Sequence, residues 1–207
     1  MGSHPDLLKE LKVLNRIIRW NEQGITYEAD DKHALTVVKD LNLEHCKSAN
    51  TSGDKMTGNG GEHGDDLSDS KLLSQERATL FRSVAARCNY LASDRRDIQF
   101  ATEETSRGMA NPTEGDWAKL KRLARYIKTV QKMTLEFIWQ EMPKDIICFT
   151  GSNWPGCRRT RKSTSGGGIR IGEHLLKSWA RTQTPLATSS GEAELYAAVK
   201  GGAELGY

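Results

Sequence analysis

"FTGSNWPGCRRTRKSTSGG", residues 149–167, decides how the second half of the chain is read. Ile146, Ile147 and Phe149 read as an apolar strand that runs into a short turn. Four basic residues, Arg158, Arg159, Arg161 and Lys162, then follow within five positions. Strand ends of this kind often present a catalytic carboxylate. This one presents Gly151, Ser152 and Asn153 instead.

The flanks of that stretch are regular. "TLEFIWQ" (134–140) and "DIICFT" (145–150) read as strands. "GGIRIGEHLLKSWARTQ" (167–183) predicts a hairpin with Gly172-Glu173 near its turn. The glycine run 166–172 opens no helix, so hairpin glycines are the better reading than a phosphate loop. "SSGEAELYAAVKGGAEL" (189–205) predicts a helix opened by Ser189 or Ser190, with acids in the first turn where the helix dipole favours them.

Further upstream the period is helical. Leu80, Val84, Cys88 and Leu91 form one stripe, and Ile98, Phe100, Ala101 and Met109 suggest a second helix. "NPTEGDW" (111–117) marks a helix start, with Thr113 as N-cap and Asp116 closing an approximate capping box. Trp117, Leu120, Leu123, Ala124, Ile127 and Val130 hold one face of that helix. Lys119, Lys121, Arg122, Arg125, Lys128 and Lys132 crowd the others, either as a solvated face or as a phosphate-facing surface. At the start, "KVLNRIIRW" (12–20) reads as one strand. "NEQG" is a turn with Gly24 available for positive φ, and "ITYEAD" is a return strand. Asp30 or Asp31 then caps a helix carrying Ala34, Val37, Val38 and Leu41. Between these parts, a Gly-, Ser- and Asp-rich run reads as a flexible linker, because it offers little apolar burial to offset its ordering entropy.

Composition excludes several classes. The chain has 207 residues, a formal net charge of +3 and 28% charged residues, and its mean hydropathy is −0.62. No apolar run is long enough to span a membrane, and no signal-peptide core follows Met1, so a soluble intracellular protein, cytoplasmic or nuclear, is expected. Four cysteines at 46, 88, 148 and 157 lack paired spacing and read as reduced thiols. His45, Cys46 and His63 match no zinc spacing. No nucleophile-elbow or zinc-protease motif is present.

Taken in order, "LFRSVAARCNYLASDRRDIQFATEETSRGMANPTEGDWAKLKRLARYIKTV", "FTGSNWPGC", "RKSTSGG", "LLKSWARTQ" and "SSGEAELYAA" resemble the C-terminal part of a Copia-type retrotransposon Pol polyprotein. "GITYEADDKHALTVVKDLNL" is similar to that family's stretch at the end of the polymerase. The resemblance implies an α+β or α/β chain in four parts. These are a ββα piece of reverse transcriptase (1–52), a linker (53–75), a helical connection (76–132), and a truncated ribonuclease H-like mixed sheet with one helix (133–207). It also implies two Mg²⁺ or Mn²⁺ ions held by carboxylates, which neutralise two mutually repelling hard cations. Where the family usually has Asp-x-Asp-Trp, this chain has Gly151-Ser152-Asn153-Trp154. Glu194 corresponds to the helix acid of the metal site, and the other acids would lie beyond Tyr207. Glu194 is therefore the one residual catalytic or metal ligand, and productive metal binding is not expected.

Three functional readings follow. The first is a catalytically dead Pol-derived chain. The second is a nucleic-acid-binding module that grips RNA–DNA hybrids through Arg158, Arg159, Arg161, Lys162, Lys121, Arg122 and Arg125. The third is one part of a split enzyme. Ending at Tyr207 would also leave "DIICFT" as an unpaired apolar edge, so self-association is expected.

Overall fold

The structure, a computed structural model, describes residues 9–53, 71–157 and 159–206. The described residues form seven strands and five α-helices in two compact units, Met1–Trp139 and Gln140–Tyr207. The chain is a mixed α+β protein with two sheets, both antiparallel throughout. The mixed sheet expected for the C-terminal part is thus corrected to an antiparallel one. No described helix is long and apolar enough to cross a membrane, and none of the four cysteines is in a disulfide.

In the first unit, β1 (Glu10–Val13), β2 (Arg16–Trp20), β3 (Gly24–Glu28) and β4 (Thr134–Ile138) form a sheet in that order. The expected single strand over 12–20 is two strands. Leu14 and Asn15 both take positive φ, 48° and 63°, and reverse the chain in a two-residue turn. Gly24 does not use positive φ. It is needed because a Cβ there would strike the Phe137 carbonyl oxygen and sit 2.7 Å from Ile138 Cα. The N-terminal ββα piece is therefore a four-stranded sheet completed by β4, which pairs with β3 and belongs to this unit rather than to the C-terminal part.

The helices of this unit are α1 (Lys32–Asp40), α2 (Gln75–Ala92), α3 (Gln99–Ser106) and α4 (Glu114–Thr129), with a 3₁₀ turn over Arg96–Ile98 between α2 and α3. Their apolar faces make the core: Val37, Phe81, Val84, Cys88, Leu91, Ile98, Leu120, Leu123 and Ile127 are buried together. Burial pushes the Cys88 thiol up to about 12, so it is inert at neutral pH. The Thr113–Asp116 capping box forms as expected, with both reciprocal bonds present. Asp31 holds the N-cap position of α1 without a side-chain bond, and Asp30 just before it accepts from His33 N at 3.2 Å. Most of the linker expected over 53–75 lies outside the described residues. Its end does not behave as a linker: Leu72 bridges to Thr113, Leu73 is buried, and Ser74 caps α2.

In the second unit, β5 (Ile146–Asn153), β6 (Thr164–Ile171) and β7 (His174–Thr182) form a sheet in chain order, and α5 (Ser190–Leu205) packs on one face. The β6–β7 turn falls at Gly172, whose φ is +57°. Ala193, Ala197 and Gly201 lie four apart and are buried on the sheet side of α5. At Gly201 a Cβ would strike Thr150 Cγ2 and sit 3.1 Å from Cys148 Sγ. Cys148, Thr150 and Ser152 thus face α5, while Ile147, Phe149 and Gly151 face the other way.

One ion-pair cluster ties this unit together and makes it acid-sensitive. Lys177 of β7 and then Lys200 of α5 donate to Glu204 and hold its carboxyl down at about 2. An unfolded glutamate titrates near 4.3. A folded pKa below the unfolded one gives stability that is complete above about pH 4.5 and is lost as pH falls toward 2. The expected result is a melting temperature of the second unit that falls across that window. Lys177→Met should flatten the fall, as thermal melts from pH 2 to 6 would reveal.

Candidate functional site

The end of β5 brings together the residues that the sequence singled out in the second unit. Ser189 caps α5 by accepting from Glu192 N at 3.1 Å, which fixes where the helix begins. Buried Gln183 anchors that first turn, donating from Nε2 to Ala193 O at 2.8 Å and Ser165 Oγ at 2.9 Å. With the helix start fixed and small residues against the strand, Glu194 reaches the end of β5. Its Oε1 accepts from Ser152 Oγ at 2.9 Å and from Ser152 N at 3.2 Å. Gln183 was not singled out from the sequence, because a polar residue just after a strand carries no sign of burial. Its Nε2 ties the first turn of α5 to β6.

Gly151 and Asn153 flank this contact. A Cβ built on Gly151 meets nothing within 4 Å, so the position is open and no steric demand requires glycine there. Asn153 lies over its own turn. Gly156 N donates to Asn153 O at 2.9 Å, and a Cβ on Gly156 would sit 2.7 Å from Asn153 Nδ2. Trp154 donates from Nε1 to Ala187 O at 3.0 Å, tying the turn to the segment before α5.

A pair of divalent ions does not fit these residues. The site offers one carboxylate, already accepting two hydrogen bonds, beside a residue with no side chain and a neutral amide. Among the described residues no group of three His, Cys, Asp or Glu side chains is placed to hold a metal ion.

The basic residues separate into two sets. The turn after β5 is closed by its own backbone: Arg161 N donates to Cys157 O at 2.7 Å, and Cys157 N donates to Lys162 O at 3.1 Å. Arg159 and Arg161 are exposed on it, and Lys162 is half-buried. Arg158 lies outside the described residues. In the first unit Lys121, Arg122 and Arg125 are all half-buried. Arg122 donates to Gly53 O at 3.1 Å and Thr51 Oγ1 at 2.9 Å, and Lys128 donates to Cys46 O at 2.7 Å. Lys132 pairs with Glu28 and Asp31. Arg125 Nε is buried. Much of the basic face of α4 therefore straps residues 46–53 and the first sheet in place.

The chain is 34% identical over 125 residues to an uncharacterised mitochondrial protein of Arabidopsis thaliana, covering 60% of this chain and 52% of that one. It is 27% identical over 127 residues to the retrovirus-related Pol polyprotein from transposon RE2 of the same plant, covering 61% of this chain and 9% of that one. Its identity to the corresponding polyprotein from transposon RE1 is 28% over 116 residues, covering 56% and 8%. The likeness to these sequences is consistent with a stretch of a Copia-type retrotransposon Pol polyprotein. The chain spans about half the length of the first relative and under a tenth of the two polyproteins. No family model matches it. No solved structure matches it.

Proposed function

We propose that this chain is a retrotransposon Pol-derived module that does not hydrolyse phosphodiesters by two-metal chemistry and that binds nucleic-acid backbone through the turn after β5. One observation carries the first part: Glu194 stands at the end of β5 hydrogen-bonded to Ser152, with no second carboxylate at Gly151 or Asn153. Two-metal hydrolysis needs several acids to neutralise the cations, and one cannot do so. The second part is supported by Arg159 and Arg161, exposed on a backbone-closed turn beside that strand end. Contacts of this kind neutralise phosphates and are blind to base sequence. The turn is favoured over the α4 face, because Arg159 and Arg161 are exposed whereas Lys121, Arg122 and Arg125 are half-buried.

The test is a labelled RNA–DNA hybrid incubated with Mg²⁺ or Mn²⁺, with Glu194→Gln as control. No cleavage above the control is expected, and cleavage that depends on Glu194 would overturn the proposal. For binding, the logarithm of the affinity should fall with the logarithm of salt concentration, with a slope of about −0.9 per phosphate contacted. Arg159→Ala with Arg161→Ala should make that slope shallower by about 2. Binding that ignores salt would remove the turn as the contact.

A further inference from the structure

We propose that residues 46–53 are a displaceable strap over a second phosphate-binding row on α4, and that a nucleic-acid backbone takes this row when the strap lifts. The row consists of Lys121, Arg122, Arg125 and Lys128, and it is separate from the turn after β5. From Trp117 to Lys132 the chain carries six cations and no acid. Lys121, Arg125 and Lys128 recur at i, i+4 and i+7, so they share one side of α4, with Arg122 beside them. They span about 10 Å of helix, long enough to meet successive phosphates of one strand. Among the described residues, Lys121, Arg125 and Lys128 have no carboxylate within ion-pair distance. Arg125 Nε is buried there without an acceptor.

The strap lies on this row through oxygen acceptors. Lys128 Nζ donates to Cys46 O at 2.7 Å, and Thr129 Oγ1 reaches Ala49 O at 3.2 Å. Arg122 donates to Gly53 O at 3.1 Å and to Thr51 Oγ1 at 2.9 Å. The strap therefore runs from the last turn of α4 back toward Arg122, presenting one oxygen after another as a phosphodiester strand does. It contains Lys47 and no acid, so these oxygens are neutral. An anionic phosphate adds Coulombic attraction that a neutral carbonyl lacks. Little else holds the strap down. It forms no helix or strand, and none of its residues is buried. Among the described residues, no backbone N–H from Lys47 to Gly53 bonds to a backbone carbonyl. A further tie is Ser52 Oγ, which donates to Asp97 O at 2.9 Å. A segment with so few buried contacts and backbone bonds opens at low free energy. The row then binds with its intrinsic affinity reduced by the fraction of chains in which the strap is open.

The test uses the full chain carrying Arg159→Ala and Arg161→Ala, so that the exposed arginines of the other turn are gone, and a labelled RNA–DNA hybrid. Thr51→Ala with Ser52→Ala removes two ties of the strap without altering α4. It should raise hybrid affinity about tenfold through a larger open fraction, with an unchanged circular dichroism spectrum. Lys121→Ala with Arg125→Ala, neither of which holds the strap, should abolish that gain and make the salt slope shallower by about 2. Tryptic cleavage after exposed Lys47 reads the strap directly and should quicken when hybrid is added. No gain in affinity on loosening the strap would overturn the proposal. So would a gain that survives Lys121→Ala with Arg125→Ala. Slower or unchanged cleavage after Lys47 in the presence of bound hybrid would overturn displacement, because the strap would then still be in place.

Discussion

Arg95→Met is expected to cost the first unit about 3–5 kcal/mol, the range found when one partner of a buried ion pair is removed. Arg95 is 1% exposed, the largest of the fully buried side chains. Its guanidinium donates from Nε and Nη2 to Asp97 Oδ1 and Oδ2 at 2.9 and 2.6 Å, and from Nη1 to Val130 O at 2.8 Å. One planar fork thereby satisfies a carboxylate on the 3₁₀ turn and the carbonyl of Val130, the C-cap of α4. Methionine fills much of the volume but leaves both acceptors without their donor in a place water reaches poorly. Lysine would not rescue it, because a point charge cannot span two oxygens and a third acceptor at once. Arg95→Met with Asp97→Asn should recover part of the loss, since the neutral amide no longer needs the guanidinium charge. Urea melts followed by far-ultraviolet circular dichroism measure all three variants. A loss below about 1 kcal/mol for Arg95→Met would place the pair with weak surface bridges instead.

Arg95 also marks a limit of reading by pattern. "SDRRDIQF" gives no hint that one of two adjacent arginines is buried, because burial of a charge depends on acceptors brought by other elements. Local chemistry was legible where it is self-contained. The Thr113–Asp116 box, the Gly172 turn and the Ser189 cap each need only residues within four positions. The turn at Leu14–Asn15 was missed because neither residue is Gly or Pro, and Asn15 alone hints at a left-handed conformation. β4 was legible as a strand, but period-two alternation says nothing about which strand lies beside it, and β3 is more than a hundred residues away. At the end of β5, the sequence placed residues 151 and 153 at a strand end and 194 on a helix. The bond from Ser152 to Glu194 was not legible, because it depends on how closely α5 approaches β5, which Gly201 permits.

The β5–β6 pair carries a contrast between two glycines that separates structural need from loss of a side chain. Gly167→Val is expected to destabilise the second unit by about 3 kcal/mol and Gly167→Ala by about 1–3 kcal/mol. A Cβ on Gly167 would strike the indole of Trp179, lying 2.6 Å from Cε2, and would sit 2.7 Å from the Phe149 carbonyl oxygen. Trp179 is 7% exposed, so the ring cannot swing aside without opening the layer between sheet and helix. Its fluorescence should shift to longer wavelength along with the melt. Gly151, paired with Gly166 one residue along, faces open space and lacks the left-handed φ that would demand glycine. Gly151→Ala should accordingly be neutral or stabilise by about 0.4–1 kcal/mol, through a less flexible unfolded chain. Gly151→Asp should fold as well, because its carboxylate enters the same open space. If Gly151→Ala cost as much as Gly167→Ala, glycine at 151 would be a packing requirement of this fold. A tolerated side chain there would show that the fold itself does not demand glycine at 151.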